Sequence, residues 1–485
     1  MHFPFRLYGI ENEFAVVGQA SNGTFIDALE ISPVIELKPE QHSVLAHGSI
    51  PGNDRVWHTN GSCTYVDIGD HPEHATAECL SVRDAMKYNK AGEIIASRMF
   101  DYLTTTNGIR LLLFKNNLGY DIHANESTIF GQFGCHENYL VHMNSLYSST
   151  VPPTVNEYNQ KIQTLRPLIP FLATRQIFDG SGWWERDMTF HLSQRAFSIQ
   201  KEIGTGASSD RSFFQIKTGD PGADTRLHVI SGDANICEFA LYLKLGTTSL
   251  VLALIESDCC PIFEYKNAVA ALKEISRYGD TYMHPFQIKN GVPINTLDVQ
   301  SIFFEAVRAQ LTSATYASDE IEAEVTQIML YWEQTLNAFY NNDNEWKRGR
   351  IDHATKQYIA ETYIRKQKIS NTSELSLIYK TIDIMYHCVS NPTMQQQIKN
   401  KWRDRRIVDD NEINHAILHA PQNTRARMRG MFVQALFDKG KRVSDDLDWS
   451  RLSVNHGEQH HVLQLLHGLV ANSDEFEKFL LLVEQ

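Results

Sequence analysis

Residues 9–14 read GIENEF and place two carboxylates one residue apart in a stretch that is otherwise rich in apolar side chains. Successive side chains of a β-strand point to opposite faces, so in a strand Glu11 and Glu13 share one face while Ile10 and Phe14 take the other. Their Cα atoms then lie roughly 7 Å apart, a repulsive arrangement unless a cation sits between the carboxylates. The stretch predicts a buried opening strand with a cation-binding face. A salt-bridged edge strand is the alternative.

A second stretch, YVDIGDHPEHATAEC at residues 65–79, is dense in side chains that bind metal ions. Tyr65 and Asp67 are two residues apart in a strand-like segment and share a face, after which a glycine and a proline predict a break. Glu73 and Glu78 would then follow in a loop or at a helix start. Oxygen ligands without cysteine or histidine spacing fit Mg2+ or Mn2+ rather than structural zinc. A solvated acidic loop is the alternative.

Histidines and cationic residues elsewhere in the chain are weaker candidates. His136 and His228 lie in strand-like segments, where a lone histidine is more often a hydrogen-bonded core residue than a metal ligand. Lys115, Arg195 and Arg226 are candidates for contacts to phosphate, and a planar guanidinium suits bidentate contact with phosphate oxygens. Each of them, taken singly, is more often a surface salt-bridge partner.

The composition is that of an ordinary globular protein of 485 residues, with 42% hydrophobic and 21% charged side chains. A formal net charge of -13 argues against a general nucleic-acid or anionic-membrane binder. Seven cysteines without CxxC spacing indicate free thiols in a reducing compartment rather than a disulfide framework. The N-terminal residues lack a signal-peptide pattern and SLVLALI at 249–255 is too short to span a bilayer. A soluble cytoplasmic protein is expected.

Strand-like stretches cluster early in the chain and helical periodicity follows. The predicted strands lie at 5–16, 63–69, 108–117, 136–143 and 226–233, and the predicted helices at 242–256, 300–312, 318–341 and 352–368. Many strands without regular βαβ alternation predict the α+β class, with a mostly antiparallel sheet and helices packed against one face. A charged stretch at 399–412 predicts a catalytic domain at 1–398 and a small C-terminal domain at 399–485.

Several uncommon strings occur in order along the chain: GIENEF, YVDIGDHPEHATAEC, LFKNN, GCHENYL, LSQRA, RLHVISGDAN, LKLGTTSLVL, QNTRARMRG and DWSRL. Together they resemble the Pup ligase (proteasome accessory factor A) and depupylase family over nearly the whole chain. The resemblance implies the glutamine-synthetase-like fold of that family, in which a curved antiparallel sheet cradles the site. It also implies an ATP- and Mg2+-dependent carboxylate-amine ligase.

The resemblance further implies a magnesium site. Its implied ligands are Glu11, Tyr65 and Glu73, to which Glu13 and Glu78 are added on chemical grounds. A more distant likeness to glutamine synthetase suggests that two histidines face a second metal. The full set of candidate metal ligands is Glu11, Glu13, Tyr65, Glu73, Glu78, His136 and His228.

In the implied reaction, ATP phosphorylates a glutamate side-chain carboxylate, and a lysine amine then displaces phosphate to form an isopeptide bond. Thr76 and Trp449 are implied to contact ATP, and Arg195 and Arg226 are candidate clamps for the transferring group. Asp67 is the implied catalytic base, because a lysine with a reference pKa of about 10.4 must lose a proton before it attacks. An aspartate beside magnesium is a weaker base, so we expect it mainly to orient the ammonium and accept its proton as the bond forms.

Two positions depart from the family pattern. Cys63 stands where family members carry an arginine that contacts ATP, two residues before the tyrosine. Lys217 lies in QIKTGDPGADTRLHV, where family members usually have an arginine-rich string, and is a candidate substitute for that charge. These departures bear on nucleotide affinity and on substrate recognition.

The direction of the reaction stays open at this point. The short spacing between Glu13 and Tyr65 and the string HPEHATAEC favour a ligase. The strings SGDANICE and YLKLGTTSLVL lean towards a depupylase, which hydrolyses the bond or deamidates a C-terminal glutamine. Cys63 suggests a third alternative, a degenerate family member that binds nucleotide without turnover.

The implied partners are a small, disordered and acidic Pup-like modifier and lysine-bearing acceptor proteins. An acidic modifier should bind a basic groove, although such charges often only solvate helices. The candidate groove residues are Lys401, Arg403, Arg405, Arg406, Arg425, Arg427 and Arg429.

Overall fold

The computed structural model describes most of the chain. The described residues are 1–22, 25–26, 49–51, 55–67, 71–107, 109–120, 129–142, 155–185, 187–204, 211–217, 225–277, 284–289, 291–441, 447–456, 459–465 and 467–484. Residues 68–69, 108 and 143 of the predicted strands lie outside the described residues, as do 218–224 of the segment that follows Lys217.

Nine strands form the main sheet. In chain order they are β1 (Tyr8–Glu13), β2 (Ser49–Pro51), β3 (Arg55–His58), β4 (Cys63–Asp67), β5 (His71–Ala75), β6 (Cys135–Val141), β7 (Lys201–Ile203), β8 (Ser212–Lys217) and β9 (Thr225–Val229). Their spatial order is β7-β8-β9-β6-β1-β5-β4-β3-β2. All neighbours are antiparallel except β7 and β8, which run parallel.

The other strands of the described residues form small sheets of two or three strands. They are His2–Phe3, Ala15–Gln19, Phe25–Ile26, Arg110–Phe114, Leu118–Tyr120, Ile129–Gln132, Trp183–Trp184, Phe190–His191, Pro285–Phe286, Ile294–Asn295, Thr315–Tyr316, Arg451–His456 and Gln459–Gln464.

Helices account for most of the chain after residue 237. The helices of the described part are α1 (Val82–Asn107), α2 (Val155–Leu165), α3 (Leu168–Thr174), α4 (Gln176–Asp179), α5 (Arg195–Ser198), α6 (Glu238–Glu256), α7 (Ala268–Arg277), α8 (Thr296–Gln310), α9 (Asp319–Tyr340), α10 (Asn344–Lys347), α11 (Asp352–Gln367), α12 (Thr372–Tyr386), α13 (Thr393–Lys401), α14 (Asp410–Leu418), α15 (Ala426–Asp438) and α16 (Asp474–Glu484).

The α+β class and the mostly antiparallel sheet are confirmed, and so are the four predicted helices, with ends shifted by a few residues. The strand predicted at 5–16 is two strands, because Ala15–Gln19 leaves the main sheet and pairs with Arg110–Phe114. The predicted strand at 108–117 therefore belongs to a separate small sheet.

The prediction of a loop or helix start for Glu73 is wrong. His71–Ala75 is a strand, β5, which is paired on one side with β1 and on the other with β4. Hydrogen bonding from both neighbours outweighs the local breaking signal of the proline in this segment. The strand places Glu73 inside the sheet rather than beside it.

Helices α1 and α6 pack against one face of the sheet, as predicted. Ile10, Phe14 and Tyr139 on that face join the main hydrophobic core. Helix α6 is apolar enough to cross a membrane by length and composition, with a mean hydropathy of 1.5, contrary to the expectation from SLVLALI alone. Because 94% of its apolar 18-residue window is buried inside the protein, α6 is a core helix.

A second, smaller core lies in the C-terminal part of the chain. It joins α15, α16 and the hairpin Arg451–His456/Gln459–Gln464 to Trp57 and Cys63 of the main sheet. Residues Val408, Ile413 and Ala416 belong instead to the main core. The domain division at 398/399 stays a prediction, and this packing favours a boundary closer to residue 420.

Candidate active site

Strand register brings the candidate residues together on the face of the sheet opposite α1 and α6. Residues directly opposite each other in neighbouring strands share a face. Tyr65 lies opposite Arg55 and Glu73, and Glu73 lies opposite Glu13, so one row crosses four strands. The shared face predicted for Glu11 and Glu13 follows from the same strand geometry.

The first group of donors, which we call the carboxylate triad, comprises Glu13, Asp67 and Glu73. Each offers an oxygen, and these atoms lie within 4.8 Å of one another. The Tyr65 hydroxyl donates a hydrogen bond to Glu73 Oε1, and His71 Nδ1 lies 3.1 Å from Glu13 Oε2. Three carboxylates at this spacing are an arrangement that a divalent cation stabilises.

The second group, which we call the glutamate–histidine triad, comprises Glu11, His136 and His228. Their ligand atoms also lie within 4.8 Å of one another. Glu11 Oε2 lies 3.5 Å from His136 Nδ1 and 3.7 Å from His228 Nδ1. Burial lowers the pKa of His228 well below its usual value, so its imidazole is neutral, the form that binds metal ions.

Charge repulsion is concentrated on Glu73. Burial raises the pKa of Glu73 well above its ordinary value, and the carboxylates of Glu11 and Glu13 raise it further, against the hydrogen bond from Tyr65. Burial, Glu11 and Glu73 also raise the pKa of the Tyr65 hydroxyl. A proton or a metal ion at Glu73 relieves the same repulsion, so the two compete for this site.

Glu11 and Glu13 have the opposite shift. Burial alone would raise the pKa of Glu11, but the hydrogen bond with His136 and the positive charge of Arg226 lower it. For Glu13 burial is likewise outweighed, by His71, His136 and Arg195, and its pKa falls to about 2. Both carboxylates are ionised at neutral pH and can serve as metal ligands.

A cavity of about 450 Å³ adjoins the donors, a size within the usual range of small-molecule sites. Glu11, Tyr65, Thr76 and Trp449 are among the residues that line it. The Thr76 hydroxyl oxygen accepts a hydrogen bond from the Ile10 amide at 3.0 Å, which fixes the threonine against β1.

Glu78 lies in neither donor group, and the structure contradicts its candidacy as a metal ligand. Its Oε1 accepts from Arg425 Nε at 2.8 Å, and its Oε2 accepts from Arg429 Nη2. Burial would raise the pKa of Glu78, but Arg429 and Arg425 lower it to about 2. The guanidinium of Arg429 also lies 4.6 Å from the ring centroid of Trp449. Glu78 therefore fixes two arginines, and one of them, Arg429, supports the tryptophan wall of the cavity.

Glu78→Gln is expected to lower the free energy of unfolding by about 3 kcal/mol, because two buried guanidiniums lose their anion. The measurement is chemical denaturation of the variant and the wild type at neutral pH. Glu412→Gln is the matched control: Glu412 binds Arg83 in the same two-pronged way, but this pair is more exposed and should contribute about 1 kcal/mol or less. A Glu78→Gln protein of wild-type stability that needs more Mg2+ would contradict this role.

The three cationic candidates occupy different environments. Arg226 lines the cavity, where its Nη1 lies 3.7 Å from Glu11 Oε1. Arg195 is buried near Glu13, and its guanidinium donates to the carbonyls of Ile230 and Phe133. Lys115 is buried against Glu93, so it is a structural ion-pair partner rather than a phosphate contact. Arg226 is the candidate that reaches the cavity.

Most residues of the predicted basic groove are engaged in internal contacts. Arg405 pairs with Glu345, and Arg406 pairs with Glu238 and Asp410. Lys401 donates to Tyr358, Arg427 donates to the Ala471 carbonyl, and Arg425 and Arg429 hold Glu78. Four of the seven candidates, Arg405, Arg406, Arg425 and Arg429, are therefore paired with carboxylates of the protein.

Cys63 supplies no charge to the cavity. It is 0% exposed, lies opposite Trp57 and Ala75, and belongs to the second core. The guanidiniums among the cavity-lining residues belong to Arg55, Arg226 and Arg425.

Three site residues were missed by the sequence analysis. Asn138 Oδ1 lies 3.0 Å from His228 Nδ1 and accepts from Arg226 Nη1 at 3.2 Å, which positions both. His71 contacts Glu13, and Arg55 shares the row of Tyr65. The sequence could have identified Asn138, because it is two residues after His136 in the predicted strand GCHENYL and residues two apart in a strand share a face.

The sequence and the fold match those of known proteins. Residues 6–453 match the family described as Pup-ligase protein. The Pup-protein ligase of Corynebacterium diphtheriae is 32% identical over 424 residues, which cover 84% of this chain and 82% of that protein. The Pup-protein ligase of Acidimicrobium ferrooxidans is 30% identical over 486 residues, which cover 97% of each chain.

Solved structures with the same fold agree with this match. The complex of the prokaryotic ubiquitin-like protein Pup with its ligase PafA has a TM-score of 0.81 and 26% identity, covering 99% of this chain and 92% of that one. The Pup ligase PafA in complex with ADP has a TM-score of 0.73 and 25% identity, covering 95% of each chain. This chain belongs to the Pup-ligase family.

Proposed function

We propose that this protein is an ATP- and Mg2+-dependent ligase that joins a glutamate side-chain carboxylate of a Pup-like modifier to a lysine amine of an acceptor protein. The observation that carries the proposal is the position of the carboxylate triad and the glutamate–histidine triad beside a cavity of ligand size, in a member of the Pup-ligase family. Relatives named as Pup-protein ligases support ligation over hydrolysis. The cytoplasm is its proposed location.

ATP is proposed to bind in the cavity, with Thr76 and Trp449 among its contacts. The complex of PafA with ADP supports the use of an adenine nucleotide. Arg429 and Trp57 support the Trp449 ring. The guanidinium carbon of Arg429 lies 4.6 Å from the Trp449 ring centroid, and the Trp57 ring centroid lies 5.1 Å from it. A ring supported in this way is a rigid wall for a planar ligand.

The donor chemistry fits Mg2+. The proposed ligands are Glu11, Glu13, Tyr65 and Glu73, with His136 and His228 beside Glu11 for a second ion. Oxygen donors are the ligands that Mg2+ prefers, and the repulsion that raises the pKa of Glu73 is relieved by a divalent cation. When bound, Mg2+ would neutralise charge on the phosphates.

The proposed reaction has two steps. A carboxylate oxygen of the modifier attacks the γ-phosphorus of ATP, and ADP leaves. The lysine nitrogen then attacks the acyl carbon, phosphate leaves, and Asp67 accepts the proton that the amine loses. Arg226 and Lys217, which lie opposite each other in neighbouring strands, present positive charge to the incoming carboxylate.

A conjugation assay tests the proposal. The purified protein, ATP, MgCl2, a small modifier ending in Gly-Gly-Glu and a lysine-bearing acceptor should give a product with the mass of the two proteins less one water. ADP and phosphate should be released in equal amounts. EDTA in excess should stop the reaction, because the charge of the phosphates and of the carboxylate triad is then left without a counterion.

The alternatives give different products in the same assay. Hydrolysis of a preformed conjugate, or conversion of a terminal Gly-Gly-Gln to Gly-Gly-Glu without conjugation, would contradict the ligase and identify a depupylase. Nucleotide binding with no turnover of either substrate would identify a degenerate member of the family.

A further inference from the structure

His136 lies between the two triads. Its Nδ1 is 3.5 Å from Glu11 Oε2, and its Nε2 is 3.8 Å from Glu13 Oε1. The His228 ring packs against it, with 4.8 Å between the two ring centroids. A shift of this one imidazole therefore changes the glutamate–histidine triad directly and the carboxylate triad through Glu13.

Gly134 is buried against the side chains of His136 and Glu13. A Cβ at this position would lie 2.6 Å from His136 Cε1 and 2.7 Å from Glu13 Oε1, and closer still to His136 Nε2. Nonbonded carbon atoms pack best at about 3.5–4.0 Å, so a methyl group and the two side chains cannot keep these positions together. The backbone of Gly134 cannot easily withdraw, because its carbonyl accepts a hydrogen bond from the Glu13 amide at 3.0 Å.

The backbone conformation of Gly134 does not explain the glycine. Among the described residues, the glycines with positive φ are Gly61, Gly182, Gly349 and Gly440. Gly134 therefore does not need the left-handed conformation that favours glycine. Because glycine loses more conformational freedom on folding than any other residue, a buried glycine beside a sheet marks a place where another group approaches closely. At Gly134 the approaching groups are the imidazole and the carboxylate.

We propose that Gly134 is a positioning residue for the cation sites, and that it has no side chain so that His136 and Glu13 can meet between the two triads. The inference rests on the proposed function, because it needs cations at the triads. Neither side chain can yield to a methyl group without changing the site. His136 Nδ1 faces Glu11 on its other side, and Glu13 Oε2 lies 3.1 Å from His71 Nδ1.

The test is titration with Mn2+, which takes the same oxygen ligands as Mg2+ and is detected by electron paramagnetic resonance. G134A should raise the Mn2+ concentration at half-saturation by about 10- to 100-fold, the usual loss when the support of a metal ligand is removed. G9A is the matched control. It adds the same methyl group to the site face of β1, where the nearest side-chain atom is Asn138 Cβ at an ordinary contact distance of 3.6 Å. Its half-saturation should change less than about twofold.

A double variant shows whether Gly134 acts through the imidazole. H136A removes the ring that a methyl group at position 134 would overlap. Adding G134A to H136A should therefore raise the half-saturation by less than about fivefold, because the effects of two residues in contact are not additive. Chemical denaturation in EDTA establishes that each variant is folded before Mn2+ is added.

Two results would overturn the inference. One is a folded G134A protein with the half-saturation of the wild type. The other is a methyl effect as large in the H136A background as in the wild type, which would give Gly134 a role in the fold alone. If G134A does not fold, a folded G134A/H136A protein supports the inference and an unfolded one contradicts it. A wild-type protein that binds no Mn2+ would instead defeat the proposed function, so the two failures are distinguishable.

Discussion

Glu73→Gln is expected to slow magnesium-dependent conjugation by at least about 100-fold while it makes the metal-free protein harder to unfold. Glu73 is 2% exposed, lies opposite Glu13 and belongs to the carboxylate triad. Glutamine keeps the shape and the acceptor for the Tyr65 hydroxyl, but it removes one of the charges that hold the cation. Conjugation should fall by about 100- to 1,000-fold, the loss typical of one missing electrostatic contact to the reacting groups.

The gain in stability should depend on pH. Because burial, Glu11 and Glu13 raise the pKa of Glu73 in the folded state, the wild type loses stability as the pH rises from the unfolded value of about 4.3 through the raised folded value. Glu73→Gln has no proton to lose at this position. In EDTA, the variant should have a higher free energy of unfolding than the wild type, and this advantage should be larger at pH 8 than at pH 5. We expect the advantage to grow by more than about 1 kcal/mol between the two pH values.

The loss of conjugation and the gain in stability are measured separately. Conjugation is followed by mass spectrometry over a range of Mg2+ concentrations, and stability by chemical denaturation in EDTA at each pH. Glu305→Gln, at an exposed pair on α8, is the control and should alter neither. A Glu73→Gln protein that conjugates at the wild-type rate with the same Mg2+ requirement would show that Glu73 holds no catalytic cation.

The sequence predicted the two faces of β1 correctly, because side chains alternate between the faces of a strand. The spacing of Glu11 and Glu13, with Ile10 before them and Phe14 after them, predicted a two-faced strand, and the core packing of Ile10 and Phe14 confirms it. A period of two is a local property of the chain, so the sequence carries it directly.

Strand β5 was missed because its local signals point the other way. The segment HPEHA has a proline in its second position, and proline is disfavoured within sheets because it has no N–H to donate. The carbonyl of Pro72 still accepts from the Phe14 amide at 2.8 Å, and pairing with β1 and β4 stabilises the rest of the strand. These contacts are tertiary, so no local window of sequence contains them.

The ion-pair partners of Glu78 could not be predicted from the neighbouring sequence for a similar reason. Glu78 and the candidate ligand Glu73 occur in one short string, and their side chains are chemically the same. Its partners Arg425 and Arg429 are 347 and 351 residues away along the chain, and only the packing of α15 against the sheet brings them to it. The resemblance identified residue types and positions, whereas the division into two triads came from the register of the strands.

Asp67→Asn is expected to slow attack by lysine about 100- to 10,000-fold, the range of general acid–base effects, while nucleotide binding changes little. Asp67 is half-buried on the site face of β4 and completes the carboxylate triad. Asparagine has nearly the same shape and keeps one acceptor oxygen, but it cannot take the proton that the ammonium must lose. The measurement is single-turnover conjugation with saturating ATP and MgCl2.

A second acceptor separates proton transfer from metal binding. Hydroxylamine is already neutral near pH 7 and needs no base before it attacks, so it should restore most of the activity of Asp67→Asn. With lysine as the acceptor, raising the pH should also reduce the difference in conjugation rate between variant and wild type, because more of the amine is neutral. Since the Asp67 oxygen lies within 4.8 Å of Glu13 and Glu73, a role as metal ligand predicts equal losses with both acceptors and no narrowing at high pH. Full activity of the variant with lysine would defeat both roles.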